Sequence, residues 1–222
     1  MKYSENEKQK SLLSQFLESF QVELPTEVLD RLYAFADLVV NTKEFGNLIS
    51  SKDSEKFLSR HIADSLMPYI YISKGLGNPD FRINKNDNVK WADMGAGSGC
   101  PVFPLAIVMP EIQFYAIEPR KMRVKFMQTV KEKLKIDNLT VIGKRFETSG
   151  LENLDVVSCR ALSTFENDWD RARPGLKKSG RFLTLKSFNN IVHLENDPAV
   201  HIYKYNLPME EQIYALVTRG NE

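Results

Sequence analysis

The feature that most limits the possible folds is an alternation of strand-like and helix-like segments from residue 89 onward in this 222-residue chain. The short runs VKWADM, QFYAIE and LTVIG are apolar and rich in residues that favour strands. Segments with the apolar spacing of helices, including PLAIVM and the stretch from Arg120 to about Lys135, lie between them. Strands joined through helices favour a parallel sheet with both faces covered, so the sequence predicts an α/β fold.

Four more strand-like segments follow along the chain. LDVVSC and GRFLTLKS flank the helix-like stretch TFENDWDRARPGL and continue the alternation. The last two, AVHIYKYNL and EEQIYALVTRG, alternate with period two and lie close together, which is typical of an antiparallel pair. We therefore predict a doubly wound sandwich of about seven strands, mostly parallel, that ends in an antiparallel C-terminal hairpin.

The N-terminal third of the chain has the apolar spacing of helices instead. One helix is predicted over Ser11 to Phe20, and a second begins at Pro25, because Pro-Thr-Glu is a typical helix start. A third begins near Ser54, and we expect Pro68 to kink it. Its inward-facing residues are predicted to be Leu58, Ile62, Leu66 and Ile70.

A stretch rich in Gly, Asn, Asp and Pro, from Ser73 to Asn88, separates the two parts of the chain and is predicted to be a loop. We therefore expect a helical cap in residues 1–75 and a ligand-binding core in residues 76–222. At this length we expect the two parts to pack as one compact unit.

Composition narrows the functional classes without choosing one. With 30 basic and 29 acidic residues, the chain lacks the excess positive charge of a general polyanion binder. This balance is still compatible with a basic patch on one part of the surface. No apolar run has the length of a membrane-spanning helix, and the N-terminus is too polar for a secretory signal. Cys100 and Cys159 make no metal-binding or CxxC spacing. We expect a cytoplasmic protein with no disulfide, structural metal or membrane association.

The segment DMGAGSGCP, directly after the first predicted strand, is the strongest ligand-binding signal. Glycines at positions 95, 97 and 99 let the backbone turn sharply and approach a ligand closely. The dinucleotide fingerprint G-x-G-x-x-G would need a glycine where Cys100 stands. The spacing G-x-G-x-G instead suits S-adenosylmethionine (SAM), whose positively charged amino and sulfonium groups would favour the carboxylate of Asp93. We predict that Asp93, Gly95, Gly97 and Gly99 contact this cofactor.

Two later segments are predicted to complete the cofactor site. Glu118 ends the second strand, 25 residues after Asp93, where a carboxylate typically accepts hydrogen bonds from ribose hydroxyls. Because nicotinamide cofactors also carry a ribose, Glu118 indicates the sugar rather than SAM itself. After the third strand, KRFET is expected to supply backbone groups and the side chain of Glu147 to an adenine edge.

Taken together, several segments resemble one known family. DMGAGSGCPVFPLAI, IEPRKMRVKFM, KRFE, VSCRALST and GRFLTLKS occur in the order and spacing of the RsmG (GidB) family, and NLIS and RHIADSL resemble its upstream motifs. The resemblance runs from about Asn47 to the C-terminal hairpin. It implies a Rossmann-like class I methyltransferase that uses SAM to methylate guanine N7 in 16S ribosomal RNA. The expected partner is ribosomal RNA or the small ribosomal subunit, with no protein partner and a monomeric enzyme.

The resemblance also implies individual contacts. Gly95 and Cys100 match loop positions that contact SAM, Phe146 and Glu147 match a pair at the adenine, and Arg160 matches an arginine at the cofactor edge. This chain departs from the family at two of these positions. Phe146 replaces a common alanine, so we expect its backbone rather than its side chain to contact the adenine. Cys100 replaces a large apolar residue. We interpret Cys100 as a packing residue, because no activating neighbour of its thiol is visible in the sequence.

The implied chemistry requires little of the protein beyond orientation. Guanine N7 carries a lone pair and no proton, so no general base is needed, and the methyl group of a sulfonium is already activated. Holding N7 in line with the methyl group is then the main task. We hypothesise that Arg160, Lys186 and Arg123 position the guanine and nearby phosphates.

Arg60, His61, Asp64 and Ser65 share one side of the third predicted helix. We interpret them as a structural network in which Arg60 and Asp64 pair at i,i+4, although RNA contact by these residues stays open.

Two other functions are compatible with the sequence. An NAD-dependent oxidoreductase would share the fold, although the third glycine of the fingerprint and a recognisable catalytic set are missing. The second is an RNA-binding module without enzymatic activity that retains a vestigial SAM pocket.

Overall fold

The computed structural model describes residues 2–77, 83 and 88–221. Most of the loop predicted from Ser73 to Asn88 lies outside these residues, although the predicted boundary between residues 75 and 76 lies within them. The α-helices are α1 (Glu7–Ser19), α2 (Thr26–Asn41), α3 (Ser51–Ser54), α4 (Ala63–Ser73), α5 (Val102–Val108), α6 (Lys121–Leu134) and α7 (Phe165–Ala172). A π-helical turn spans Phe57–Ile62. Short 3₁₀ turns span Tyr3–Glu5, Phe146–Thr148, Arg173–Gly175, Phe188–Asn190 and Val192–Leu194.

Within the described residues, a sheet of seven strands forms the centre of the fold. The strands are β1 (Lys90–Met94), β2 (Gln113–Ile117), β3 (Leu139–Ile142), β4 (Leu154–Arg160), β5 (Leu176–Ser187), β6 (Val200–Asn206) and β7 (Ile213–Gly220). Their order is β3-β2-β1-β4-β5-β7-β6. The first five pair in parallel, and β7 pairs antiparallel with both β5 and β6. The predicted mostly parallel sandwich with an antiparallel C-terminal hairpin is confirmed.

The strand order reverses between β1 and β4, which makes this point of the sheet the expected ligand site of a doubly wound fold. The chain runs outward from β1 to β2 and β3 on one side and through β4 and β5 on the other. The connections that follow β1 and β4 therefore lead to opposite sides of the sheet, which leaves a crevice above the carboxyl ends of these two strands.

Alternating side chains of the central strands bury both faces of the sheet. On one face, Trp91 and Phe114 pack in a core that also takes in apolar residues of α1, α2, α5 and α6. On the other face, Ala92 and Met94 pack with Phe165 of α7. Because the N-terminal helices share the first core with α5 and α6, they are held firmly against the sheet.

The N-terminal helices follow the apolar pattern, with one local departure. α2 begins at Thr26, one residue after the predicted start at Pro25. α1 begins earlier than predicted, because the Asn6 side chain caps it by accepting a hydrogen bond from the Gln9 amide. The helix α4 continues through Pro68, and the departure from α-helical geometry lies upstream, at the π-helical turn. The four residues predicted to face inward are buried: Leu58, Ile62, Leu66 and Ile70. None of the described helices has the combination of length and apolarity that a membrane crossing needs.

Candidate functional site

The loop after β1, residues 95–100, forms the floor of the site and is here called the glycine loop. Gly95, Gly97 and Gly99 have φ values of 71°, 58° and 95°, which side chains other than glycine rarely adopt. The amides of Gly95 and Ala96 donate to the Ile117 carbonyl at 2.9 and 3.0 Å, so the loop is fixed to the end of β2. A Cβ on Gly99 would lie 2.6 Å from the Phe103 ring. The loop therefore presents bare backbone at the switch point of the sheet.

Asp93 lies beneath this loop rather than in it. Its carboxylate is buried and accepts a hydrogen bond from the Ser158 hydroxyl at 2.8 Å, and that hydroxyl accepts one from the Trp91 indole at 2.9 Å. Burial raises the pKa of Asp93 to about 7, although the Ser158 hydrogen bond and the charge of Arg160 act in the opposite direction. Asp93 is thus poised between charged and neutral forms near neutral pH.

Glu118 follows β2 and faces the glycine loop. The Gly97 amide donates to its Oε2 at 3.0 Å, and Arg120 donates to both oxygens through its side chain at 2.8 and 3.0 Å and to Oε1 through its own amide at 2.9 Å. Burial would raise the pKa of Glu118, but these hydrogen bonds from Arg120 and Gly97 hold the pKa below its usual value. The carboxylate is charged, oriented and bridged to a guanidinium whose side chain is 65% exposed.

Three other predicted cofactor residues, Phe146, Glu147 and Cys100, differ in the solvent exposure of their side chains. Phe146 is buried, and a Cβ on Gly175 would lie 2.6 Å from its ring, so its side chain packs in the core. Glu147 is exposed and lies 3.6 Å from the Arg171 guanidinium. Cys100 is buried next to a cis peptide bond to Pro101, and burial raises the pKa of its thiol to about 11. The thiol is therefore protonated and suited to packing, as the sequence predicted.

A cavity of about 630 Å³, here called the polar cavity, opens beside the glycine loop at the ends of β4 and β5. Its volume is in the usual range for ligand pockets. The residues lining it include Arg60, His61, Asp64, Arg160, Leu162 and Lys186. The structure thus brings the π-helical turn of the N-terminal region against the carboxyl ends of two strands of the sheet.

Arg160, the last residue of β4, is held by the N-terminal region. Its guanidinium donates to Asp64 at 3.1 Å and to Nδ1 of His61 at 3.1 Å. The other oxygen of Asp64 accepts a hydrogen bond from the Tyr205 hydroxyl. Arg160 therefore lies at the centre of a network that joins the helical region to the sheet.

Burial, reinforced by the positive charge of Arg160, lowers the pKa of His61 to about 3, so its imidazole is neutral. Because Nδ1 accepts the hydrogen bond from Arg160, the proton belongs on Nε2. That nitrogen lies 3.6 Å from Oδ1 of Asp53, just beyond hydrogen-bond distance.

The predicted pairing of Arg60 with Asp64 is wrong. Arg60 donates to Asp53 at 2.7 Å, while Asp64 pairs with Arg160. The prediction assumed an α-helix, in which residues i and i+4 share a face. Arg60 lies in the π-helical turn, whose i→i+5 hydrogen bonding shifts that alignment, so the two side chains point to different partners.

Lys186 also lines the polar cavity, but its ammonium group is occupied. Nζ lies 2.9 Å from Oδ2 of Asp168 and donates to the Ser163 carbonyl at 2.7 Å. Asp168 was missed in the sequence, where an acid in a first helical turn is usually an exposed one. The signal was present in the spacing, because Asp168 shares the face of α7 that buries Phe165, Trp169 and Ala172.

Arg123 is not brought to the polar cavity. Its Nη2 donates to the Asn47 carbonyl at 2.6 Å, and its Nη1 is buried without a hydrogen-bond partner among residues 2–77, 83 and 88–221. Burial and the nearby charge of Arg120 lower its pKa. Of the three cations predicted to position the substrate, Arg160 and Lys186 therefore line the polar cavity, whereas Arg123 lies outside it on α6.

The family model described as GidB, rRNA small subunit methyltransferase G, matches residues 28–212. Proteins named ribosomal RNA small subunit methyltransferase G are similar over most of the chain. That of Caldicellulosiruptor bescii is 29% identical over 93% of this chain and 89% of its own length, and that of Salmonella schwarzengrund is 28% identical over 95% and 98%. That of Pseudomonas entomophila is 34% identical over 68% of this chain and 65% of its own length.

Solved structures support the fold. A SAM-dependent O-methyltransferase from Thermotoga maritima superposes with a TM-score of 0.54 at 18% identity, over 84% of this chain and 71% of that one. Precorrin-6y C5,15-methyltransferase from Geobacter metallireducens gives a TM-score of 0.51 at 17% identity, over 81% and 92%. At these identities the likeness concerns the fold alone.

Proposed function

Because the chain belongs to the rRNA small subunit methyltransferase G (GidB) family, we infer that it transfers a methyl group from SAM to N7 of a guanine in 16S ribosomal RNA. The observation that carries this inference is the juxtaposition of two sites at one sheet edge. The glycine loop with Glu118 lies beside the polar cavity with Arg160, so a cofactor and a base have adjoining places.

The residues around the glycine loop fit SAM. Glu118 supplies oriented carboxylate oxygens that suit ribose hydroxyls, and the positive-φ glycines leave bare backbone beside it. When bound, SAM supplies a methyl group already activated by its sulfonium. We propose that the residues contacting it are Asp93, Gly95, Gly97, Gly99, Cys100, Glu118, Phe146, Glu147 and Arg160.

We propose that the polar cavity receives the target guanine. N7 has a lone pair and loses no proton when it forms the bond to carbon, so the cavity needs no general base. The neutral imidazole of His61 is consistent with such a site. Asn190, Gln212 and Tyr214 also line the cavity and offer groups that hydrogen-bond a base edge. Orientation of the base by these walls is the main contribution of the protein.

The charges of the cavity wall suit a ring that becomes positive on methylation. Arg160 is paired with Asp64, and Lys186 with Asp168, so each buried cation is balanced by a carboxylate. A wall of unpaired cations would repel the methylated base. We propose that Arg160 and Lys186 orient the guanine within these balanced pairs.

We propose that Arg123 contributes to the contact with RNA phosphates. It lies on α6 with the exposed basic residues Lys121 and Lys125, and the exposed Arg120 directly precedes the helix. Such a cluster suits a phosphate backbone, even though the net charge of the chain is close to zero. The partner is then ribosomal RNA or the small ribosomal subunit, met in the cytoplasm by a monomeric enzyme. Residues 1–75, as a cap, would supply one wall of the polar cavity through Arg60, His61 and Asp64.

Transfer of a labelled methyl group tests this proposal. Purified protein is incubated with labelled SAM and with small ribosomal subunits, or naked 16S RNA, from cells that lack the protein. Label is expected in the RNA, and calorimetry is expected to show binding of SAM and none of NADH. Tight NADH binding without SAM binding would support the oxidoreductase instead, and SAM binding without transfer would support a non-enzymatic RNA-binding module.

A further inference from the structure

One large apolar side chain is exposed where the two proposed sites meet. Leu162, in the loop between β4 and α7 (residues 161–164), is 40% exposed. A Cβ on Gly95 would lie only 2.8 Å from its Cδ1, so the side chain rests on the glycine loop. Leu162 also lines the polar cavity. It therefore forms the boundary between the glycine loop and the cavity.

The backbone that carries Leu162 is held by an ion pair. The Ser163 amide donates to Oδ2 of Asp168 at 3.2 Å, and the Ser163 carbonyl accepts from Nζ of Lys186 at 2.7 Å. Both backbone groups of one loop residue are thus bound to the two partners of a single salt bridge. Ala161, two residues before Ser163, has a φ of 49°, which is strained for a residue with a side chain. The loop therefore needs the hydrogen bonds that hold Ser163.

The burial of this ion pair argues for a role beyond stability. The side chains of Lys186 and Asp168 are 5% and 0% exposed. A buried ion pair contributes little net stability, because desolvation of the charges offsets their attraction. Moreover, Oδ1 of Asp168 has no hydrogen-bond partner in the described part of the chain, while Oδ2 binds both Ser163 and Lys186. Besides each other, Asp168 and Lys186 therefore both hydrogen-bond to Ser163 of the loop.

We propose that Asp168 and Lys186 are positioning residues that fix Ser163 and so hold Leu162 as the apolar wall between the cofactor loop and the target base. The inference rests on the proposed function and refines it, since Lys186 orients the base through the loop rather than by direct contact. A displaced wall would let the base shift from the in-line geometry that methyl transfer needs.

Two variants and one control test the proposal. Leu162→Ala removes the wall, and the double variant Lys186→Met/Asp168→Leu removes the anchor without leaving an unpaired charge. Glu166→Gln is the control, because Glu166 lies in the same turn of α7, is exposed and forms its ion pair with His193 rather than with Lys186. For each protein, SAM affinity is measured by calorimetry, kcat and KM with small ribosomal subunits at saturating SAM, and Tm by thermal unfolding.

Both variants are expected to lower kcat about tenfold or more, because small displacements of reacting groups cost that much. KM for the subunit is expected to change little, since the wall does not face the RNA backbone. The Tm of the double variant is expected to stay close to that of the wild type, because apolar replacement of a buried pair is often neutral. SAM affinity is expected to fall about threefold in Leu162→Ala through lost apolar contact, and Glu166→Gln is expected to match the wild type.

A wild-type kcat in Leu162→Ala, or in a folded double variant, overturns the proposal. If the double variant does not fold, Leu162→Ala decides alone. Failure of the proposed function looks different, because the wild type itself would then bind SAM and transfer no methyl group. In that case the proposal is tested by SAM affinity alone. Equal SAM affinities of Leu162→Ala and the wild type would then overturn the role of Leu162 as a wall beside the glycine loop.

Discussion

The glycine loop and the polar cavity lie side by side at one edge of the sheet, yet they are built in different ways. The glycine loop depends on backbone geometry and on partners from the next strand, since the Gly97 amide donates to Glu118 at a separation of 21 residues. The cavity depends on side chains from distant parts of the chain. Asp64 meets Arg160 at a separation of 96 residues and Tyr205 at 141. The first region is specified by residue type and spacing, and the second by tertiary packing.

The largest effect is expected when the cavity network loses its central cation. Arg160→Ala leaves Asp64 buried without its ion-pair partner, which is expected to lower the free energy of unfolding by about 3–5 kcal/mol and to abolish methyl transfer. Urea denaturation and transfer assays measure the two effects. Arg60→Ala is the matched control, because its pair with Asp53 is partly exposed and is expected to contribute at most about 1 kcal/mol. Equal losses of unfolding free energy in Arg160→Ala and Arg60→Ala would contradict the larger contribution expected from the buried ion pair.

The pH dependence of stability is expected to have opposite signs in the two regions. The pKa of Asp93 is raised to about 7, so its contribution to stability is complete below the unfolded pKa and is lost as pH rises through 7. The pKa of His61 is lowered to about 3, so its contribution is complete above the unfolded pKa and is lost as pH falls toward 3.

Between about pH 4 and 6.5, the stability of the wild type relative to Asp93→Asn is expected to fall, and relative to His61→Asn to rise, each by about 3 kcal/mol. Denaturant unfolding at several pH values gives both differences. Parallel pH profiles for the two variants would contradict the assigned burial of these groups.

A smaller effect is expected from a methyl group in the glycine loop. Gly95→Ala adds a Cβ at a φ of 71° and only 2.8 Å from Leu162, and the strain is expected to cost about 1–3 kcal/mol. Because the strain falls where we propose that SAM binds, SAM affinity is expected to drop about tenfold for each 1.4 kcal/mol that binding loses. Gly75→Ala is the control, with a φ of 61° and nothing within 4 Å of its Cβ, and it is expected to keep the affinity of the wild type.

The smallest effect is expected from Arg120→Ala. The guanidinium bridges both oxygens of Glu118, where we propose that ribose binds, so its removal is expected to tighten SAM binding. An ion pair with an exposed partner is worth at most about 1 kcal/mol, which corresponds to a gain of up to about fivefold. Calorimetry compares this variant with Lys121→Ala, which keeps the bridge intact. Weaker binding by Arg120→Ala would show that Arg120 supports the cofactor site instead of competing for Glu118.

The same contrast explains what could be predicted from sequence. The seven strands and the glycine loop are predictable, because short apolar runs, the period-two alternation of the last two strands and the glycine spacing are local signals. The pairing of Arg60 with Asp64 was predicted wrongly, since no local pattern revealed the π-helical turn. The buried pair of Lys186 with Asp168 was missed, because its partners meet only after α7 packs against β5. Local signals thus predict the glycine loop, whereas the polar cavity forms only through packing of distant segments.

The most direct test of the central claim is mass-spectrometric mapping of N7-methylguanine in 16S ribosomal RNA from cells with and without this protein. One N7-methylguanine is expected to disappear in cells lacking the protein. The wild-type gene is expected to restore the modification, and Arg160→Ala is expected not to restore it. An unchanged pattern of N7-methylguanine in cells lacking the protein would contradict the assigned function.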